Sequence, residues 1–358
     1  MSIFIIAEAG VNHNGSLERA LKMVKVASDS GANSIKFQSF KASRIVTMNV
    51  KKAQYQKFNT KKFKNQYDMI KSLELTPKMH EKIINECCKQ KIEFLSTPFD
   101  IESLIMLTND FGIKKIKISS GDITNAPLLV NTGYFADEII LSTGMSNLND
   151  IKNGLKAISF GIMDYQYEKC NSKSLNEAFL EMKNNELIRK KIKLLHCTTE
   201  YPAPLNELNL KAIKTLKKKF NLKVGYSDHT LGINASIGAV ALGAEIIEKH
   251  FTLNKSLKGP DHKSSLNPKE FCSLVKGIKE VEKTLGNGEK KISPSEKKNI
   301  NIARKFIVAS KPIVKGEKFS RDNITFKRSG GGISPFEFWN LLKCKAKKNY
   351  KYEDIIDK

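Results

Sequence analysis

The side chains best able to do chemistry in this 358-residue chain gather at the ends of short apolar runs. Glu8 closes the first run, and Asn12-His13-Asn14-Gly15 follows it. Lys36 and Gln38 close the second, and Ser96-Thr97-Pro98-Phe99 closes the third. Lys117, Ser119, Ser120, Gly121 and Asp122 mark the fourth, and Ser142-Thr143-Gly144 the fifth. The sixth leads into His196 and on to Tyr201, the seventh into Ser227-Asp228-His229, and the eighth into Glu248-Lys249-His250. Lysines, hydroxyls and glycine turns in such places suit a bound phosphate, because Lys supplies charge and loop N–H groups supply donors. Glu8 and Glu248 sit in runs that read as buried, where an ionised carboxylate needs a partner or a chemical role. A salt bridge to Lys36 or Lys249 is the plain alternative to a catalytic role. Four of the six histidines, His13, His196, His229 and His250, fall in this one set. His229 and His250 end neighbouring runs, so their imidazoles can converge. Two imidazoles with open positions suit a Mn²⁺-like Lewis acid. Equally, each suits an ordinary hydrogen-bonded histidine, since no fixed motif decides between the two.

The elements that position these residues follow a strand–helix alternation, the signature of a parallel sheet. Strands are expected at residues 3–7, 34–38, 92–96, 115–118, 138–141, 191–195, 222–226 and 245–248. Their continuous apolar character fits burial on both faces. Thr76-Pro77 and Asn267-Pro268 place an N-cap before a proline at the first helical position, and Asp100, Asn147 and Asn206 are further N-cap candidates. Eight such units predict a (β/α)8 TIM barrel over residues 1–285, with function at the strand C-termini. Two insertions interrupt it, at 50–72 and 164–188. A linker is expected at 286–300, from Gly286-Asn287-Gly288 and Ser293-Pro294-Ser295. Beyond it, residues 301–358 read as a small β-rich domain with strands at 306–309 and 324–326.

The bulk properties exclude several classes. No stretch approaches the ~20 apolar residues of a membrane span. The N-terminal run lacks a basic flank, so no signal peptide is expected. The six cysteines are scattered with no Cys-x-x-Cys, which argues for reduced thiols in a cytoplasmic protein. The formal net charge of +24 would suit nucleic acid, but the lysines are spread along the whole chain and no nucleic-acid motif accompanies them. The charge suits an anionic substrate instead.

Several segments, in order, resemble the N-acetylneuraminate (sialic acid) synthase family, which includes legionaminic acid synthases. They are residues 6–15, Lys36-Phe37-Gln38, Ser96-Thr97-Pro98-Phe99, residues 141–145, His196 to Pro204, residues 225–230, residues 248–251 and Gly259-Pro260-Asp261-His262. Residues 309–328 look like the small antifreeze-protein-like (SAF) domain that ends such chains. The resemblance implies an enzyme joining phosphoenolpyruvate to N-acetylmannosamine or a close N-acylated hexosamine, with release of phosphate. It implies a divalent metal, most often Mn²⁺, on His229 and His250, and a domain-swapped homodimer. Phosphoenolpyruvate would meet Lys36, Thr97, Lys117, Ser120, Ser142 and Ser227. The sugar would meet Gln38, Asn59, Tyr201 and Asp261, with Arg328 from the partner chain. Glu8, Glu248 and Asp122 would handle protons or stabilise charge. Asp122 stands where a glutamate is common, and Thr199 where some members carry asparagine. The alternative substrate is 2,4-diacetamido-2,4,6-trideoxymannose, giving N,N'-diacetyllegionaminate. The pseudaminate branch fits residues 196–201 and 259–263 less well. A synthase acting on a phosphorylated aldose is disfavoured by the cap domain, and an ice- or carbohydrate-binding protein by the lysine-rich tail.

Overall fold

The computed structural model describes residues 2–51, 60, 63, 65–163 and 167–357. The chain divides into two compact units, Met1–Gly286 and Asn287–Lys358. In the first, eight strands run parallel: β1 Phe4–Gly10, β2 Ser34–Ser39, β3 Glu93–Pro98, β4 Lys115–Ile118, β5 Glu138–Ser142, β6 Ile192–Cys197, β7 Lys223–Asp228 and β8 Ile246–His250. The hydrogen-bonded order is β3-β2-β1-β8-β7-β6-β5-β4, a near-closed TIM-like barrel. The helical layer lies between successive strands, as the alternation requires.

The helix starts follow local side-chain chemistry. Thr76 accepts from the Met79 N–H with Pro77 behind it, and Asn147 and Asn267 each form a reciprocal capping box. Asp100 caps its helix through the Ser103 N–H. Asn206 differs from expectation: it lies in the 3-10 turn Leu205–Glu207, and the next helix starts at Ala212 with no side-chain cap. The second insertion is largely helical, as Ser172–Asn184 and Glu186–Lys191.

Strand alternation builds the barrel interior in layers. Ile6, Leu95, Ile140, Leu195 and Ile246 form an apolar floor. Gly225 completes it on β7, where a Cβ would lie 2.6 Å from the Ile246 Cβ and 2.7 Å from a Leu195 methyl. Two residues further along the strands, the layer above the floor is polar apart from Cys197 on β6. That layer carries Glu8, Lys36, Thr97, Lys117, Ser142, Ser227 and Glu248.

The second unit pairs β9 Phe306–Ala309 with β10 Ile324–Lys327 in an antiparallel sheet, consistent with the small domain expected there. Ile307, Ile313, Phe319, Tyr350 and Ile356 are among its core residues. The stretch expected as a linker carries one short helix, Pro294–Lys297, and a second, Ile300–Ala303, begins at its last residue. All six cysteines are free. Among the described residues no helix is long and apolar enough to cross a membrane.

Candidate active site

The polar layer holds two lysines and two glutamates in mutual contact. Lys36 Nζ lies 2.6 Å from Glu8 and 3.7 Å from Glu248, and Lys117 Nζ lies 3.4 Å from Glu248. All four side chains are 5 % exposed or less. Ser227 donates to Glu248 at 2.8 Å, and Lys36 donates to Thr97 at 3.1 Å. The two carboxyls differ. Burial raises Glu8 to about 7, against the pull of Lys36 and with the repulsion of Glu248. Burial also works against ionised Glu248, but Lys117, Lys36 and the Ser227 hydroxyl outweigh it and hold the group well below the usual carboxylate range. The layer thus sets a carboxyl that burial pushes toward its protonated form beside one that the lysines hold ionised.

At the rim of this layer, His229 and His250 stand with ring centroids 5.7 Å apart. His229 Nδ1 donates to the Thr198 carbonyl at 2.7 Å, which leaves Nε2 turned toward Ser227 and Tyr201, 3.2 Å from the phenol oxygen. His250 Nδ1 is buried with no hydrogen-bond partner. Burial lowers His229 to about 4 and His250 well below its ordinary value, so both rings are neutral at pH 7. Neutral imidazoles, one tautomer-locked by a carbonyl and one with an orphaned buried nitrogen, fit a divalent cation. Among the described residues no cluster of three or more His, Cys, Asp or Glu forms a larger ligand set. The pair therefore suits a cation whose remaining positions are filled by water or substrate oxygen.

Beside His250 a cavity of about 240 Å³ has Gln38, Tyr201 and Asp261 among its lining residues. Burial raises the Asp261 carboxyl to about 7. Its loop is tied to the loop after β1. Asn12 donates to the Phe251 carbonyl and to Ser265 Oγ, and Asn14 contacts His262 at 3.1 Å and donates to the Lys258 carbonyl. Asn14 and Gly15 accommodate the sharp turn with φ of 50° and 73°.

Ser142 is buried at the end of β5. Ser120 accepts from the Gly144 N–H at 2.9 Å and sits 3.1 Å from Cys197 Sγ. A Cβ at Gly144 would collide with Thr199, Cys197 and Ser120, so glycine lets three strand ends meet. Asp122 is engaged by its own turn, accepting from Ser119 at 2.6 Å and from Asn125 at 3.3 Å. Arg328 is exposed in the second unit, directly after β10. Asn59 lies outside the described residues.

The alternation of side chains corrects two expectations. Of the four histidines taken as one ring, only His229 and His250 converge. His13 packs on Phe37 and His196 on Tyr226, with His196 Nε2 held by the Leu208 carbonyl. Lys249 is no partner of Glu248: it points outward and forms a fully buried pair with Asp228 at 2.9 Å. Asp228 also accepts from the Thr230 N–H and from Ser236, while Lys249 donates to the Thr230 carbonyl. This pair, which sequence reading missed, brackets the backbone of His229 from the strand that carries His250. The period of two along β8 was the available signal, since Glu248 and His250 share one face and Lys249 the other.

With this geometry in view, comparison with known proteins settles the family. A model of the NeuB family matches residues 23–290. The chain belongs to the NeuB family. It is 49% identical over 352 residues to the N,N'-diacetyllegionaminic acid synthase of Campylobacter jejuni subsp. jejuni serotype O:2, covering 98% of each chain. It is 41% identical over 349 residues to the N,N'-diacetyllegionaminic acid synthase of Legionella pneumophila subsp. pneumophila, covering 98% of this chain and 92% of that one. Among solved structures, the N-acetylneuraminic acid (sialic acid) synthetase of Leptospira borgpetersenii serovar Hardjo-bovis, in complex with citrate, aligns with a TM-score of 0.68 at 33% identity, over 84% of this chain and 90% of that one. This NeuB-family chain is therefore an enzyme of the sialic and legionaminic acid synthase group.

Proposed function

We propose that this NeuB-family enzyme condenses phosphoenolpyruvate with 2,4-diacetamido-2,4,6-trideoxymannose, releasing phosphate and N,N'-diacetyllegionaminate. The likeness to two legionaminic acid synthases over nearly the whole chain carries this choice of sugar. N-acetylmannosamine, the first expectation from sequence, becomes the second choice.

The polar layer supports the chemistry. Lys36 and Lys117 meet the carboxylate and phosphate of phosphoenolpyruvate, with Ser142, Ser120, Thr97 and Ser227 as hydroxyl donors. Gln38, Tyr201 and Asp261 orient the open-chain sugar so that its aldehyde carbon faces C3 of phosphoenolpyruvate. A divalent cation on His229 and His250, Mn²⁺ in this reading, supplies Lewis-acid polarisation of a carbonyl oxygen. As the new carbon–carbon bond forms, Glu8 delivers its proton to the aldehyde oxygen, which becomes a hydroxyl. Glu248, held ionised, stabilises the positive charge that develops at C2. Water adds to C2, and Glu8 takes back a proton from it. The C2–O bond to phosphate then breaks as the C2 hydroxyl passes its proton to the departing phosphate, leaving a ketone at C2 and free phosphate. In the same reading the chain works as a homodimer, with Arg328 of the second copy reaching the sugar.

The test is phosphate release by purified, Mn²⁺-loaded protein given phosphoenolpyruvate and each sugar in parallel, with mass analysis of the nine-carbon product. Turnover of the diacetamido sugar is expected, lost on chelation with EDTA and restored by Mn²⁺. A folded, metal-loaded protein that releases no phosphate with either sugar would sink the proposal.

A further inference from the structure

The cavity beside His250 also has apolar lining residues that the reaction itself does not use. Besides Gln38, Tyr201 and Asp261 it is lined by Ile45, Ile70 and Phe99, which are only partly buried. They pack on a buried apolar cluster that includes Val11, Phe40 and Met69, with Phe40 edge-on to Phe99 at 6.0 Å. Ile45 ends the helix Ala42–Ile45, and Ile70 lies on the helix Gln66–Lys71, which Asn65 caps through the Asp68 N–H. Both helices belong to the segment inserted between β2 and β3, and Phe99 directly follows β3. One cavity therefore presents both polar side chains and hydrocarbon.

We infer that Ile45, Ile70 and Phe99 are specificity-determining residues, a wall that selects a 6-deoxy sugar bearing acetamido groups over N-acetylmannosamine. The inference rests on the synthase reading above. With the aldehyde end beside His250, the rest of the open chain meets the other side chains that line the same cavity, Ile45, Ile70 and Phe99 among them. There the diacetamido sugar offers a C6 methyl and an acetamido methyl. N-acetylmannosamine offers hydroxyls at C4 and C6, which would leave water with no side-chain partner on the apolar wall. An apolar wall discriminates against an added hydroxyl only moderately, by up to about a hundredfold. A preference of that order is the expected result, not absolute exclusion.

The experiment compares kcat/KM for the two sugars in the Mn²⁺-loaded full chain, before and after Ile70→Asn and Phe99→Tyr. The wild-type enzyme is expected to favour the diacetamido sugar by at least about tenfold. Each variant is expected to shrink that ratio by roughly tenfold, through a higher KM for the diacetamido sugar with KM for phosphoenolpyruvate unmoved. That split separates a specificity role from general loosening of the fold. A ratio unchanged in both folded variants overturns the inference. If Ile70→Asn does not fold, Phe99→Tyr, which adds one oxygen at a partly exposed ring, decides alone. A wild-type preference for N-acetylmannosamine overturns the wall but leaves the condensation standing. Failure with both sugars overturns the synthase reading and the wall with it.

Discussion

Two groups of charged residues, each of two lysines and two glutamates, lie on opposite sides of the apolar floor of the barrel. Below it, Lys115 contacts Glu93 at 2.9 Å and Glu138 at 3.4 Å, and Lys193 contacts Glu138 at 2.6 Å. These side chains keep between 19 and 37 % of their exposure. Above it, Lys36, Lys117, Glu8 and Glu248 are almost wholly buried. Residue types and contact distances are alike, so chemistry cannot follow from composition. What differs is water. The lower charges remain partly hydrated and their pairing is screened. The upper charges have lost their hydration, so each shifts the proton affinity of its neighbours. The upper group also lies at the strand C-termini, where the loops of a barrel converge on a ligand.

The largest effect should come from Glu8→Gln. The amide keeps the shape of Glu8 and can still accept from Lys36, but it carries no exchangeable proton. Removing general acid–base help should lower kcat by about 10²–10⁴-fold. The melting temperature should change little at pH 7, because the neutral amide escapes the desolvation of a buried carboxylate while giving up the attraction of Lys36. Steady-state kinetics and calorimetry on one preparation check both statements. Full turnover in this variant would remove Glu8 from the mechanism and erase the contrast between the two groups.

Asp261 sharpens the contrast, because it is a buried carboxyl raised to about 7 by burial alone, with no lysine beside it. Its folded value lies above the ordinary 3.8, so the folded protein holds a proton there that the unfolded chain has released. The stabilising contribution is complete below about pH 4 and is lost as pH rises toward about 7. Asp261→Asn cannot ionise. Its stability relative to the parent should therefore climb between those limits, by a few kcal/mol at most, and level off above them. Denaturant melts of both proteins at closely spaced pH values measure the difference, in which any contribution from Glu8 cancels. A difference independent of pH would mean that Asp261 is not buried as a carboxylic acid in solution.

Much of this arrangement was legible from the chain alone. Apolar runs with chemical residues at their C-termini gave eight strands and placed Glu8, Lys36, Lys117, Glu248, His229 and His250 at one end of a barrel. The caps at Thr76, Asn147 and Asn267 are local interactions, and local signals survive in sequence. What stayed hidden depends on face and on distance around the sheet. His13, His196 and Lys249 end strands or follow them, yet turn away from the interior. The contact between Lys117 on β4 and Glu248 on β8 spans four strand positions around the barrel. No spacing along the chain encodes that meeting. It exists only because the sheet curls nearly closed. Asn206 failed as a cap for a smaller reason: the chain between it and the next helix forms a 3-10 turn first.

The smallest effect belongs to the lower group, and it is where the comparison is easiest to break. Glu138 pairs through one oxygen with both Lys115 and Lys193, so Glu138→Gln removes the shared anion and leaves two neighbouring ammonium groups. Because both lysines remain partly hydrated and Lys115 keeps Glu93, the cost should be only about 1 kcal/mol. It should also change with added salt, since screening acts on both the lost attraction and the new repulsion. The apolar floor separates this site from the substrates, so kcat and both KM values should stay at parent levels. A clear loss of turnover in a folded Glu138→Gln protein would show that the floor transmits charge or strain from one group to the other, and that burial alone does not divide structural ion pairs from chemical ones.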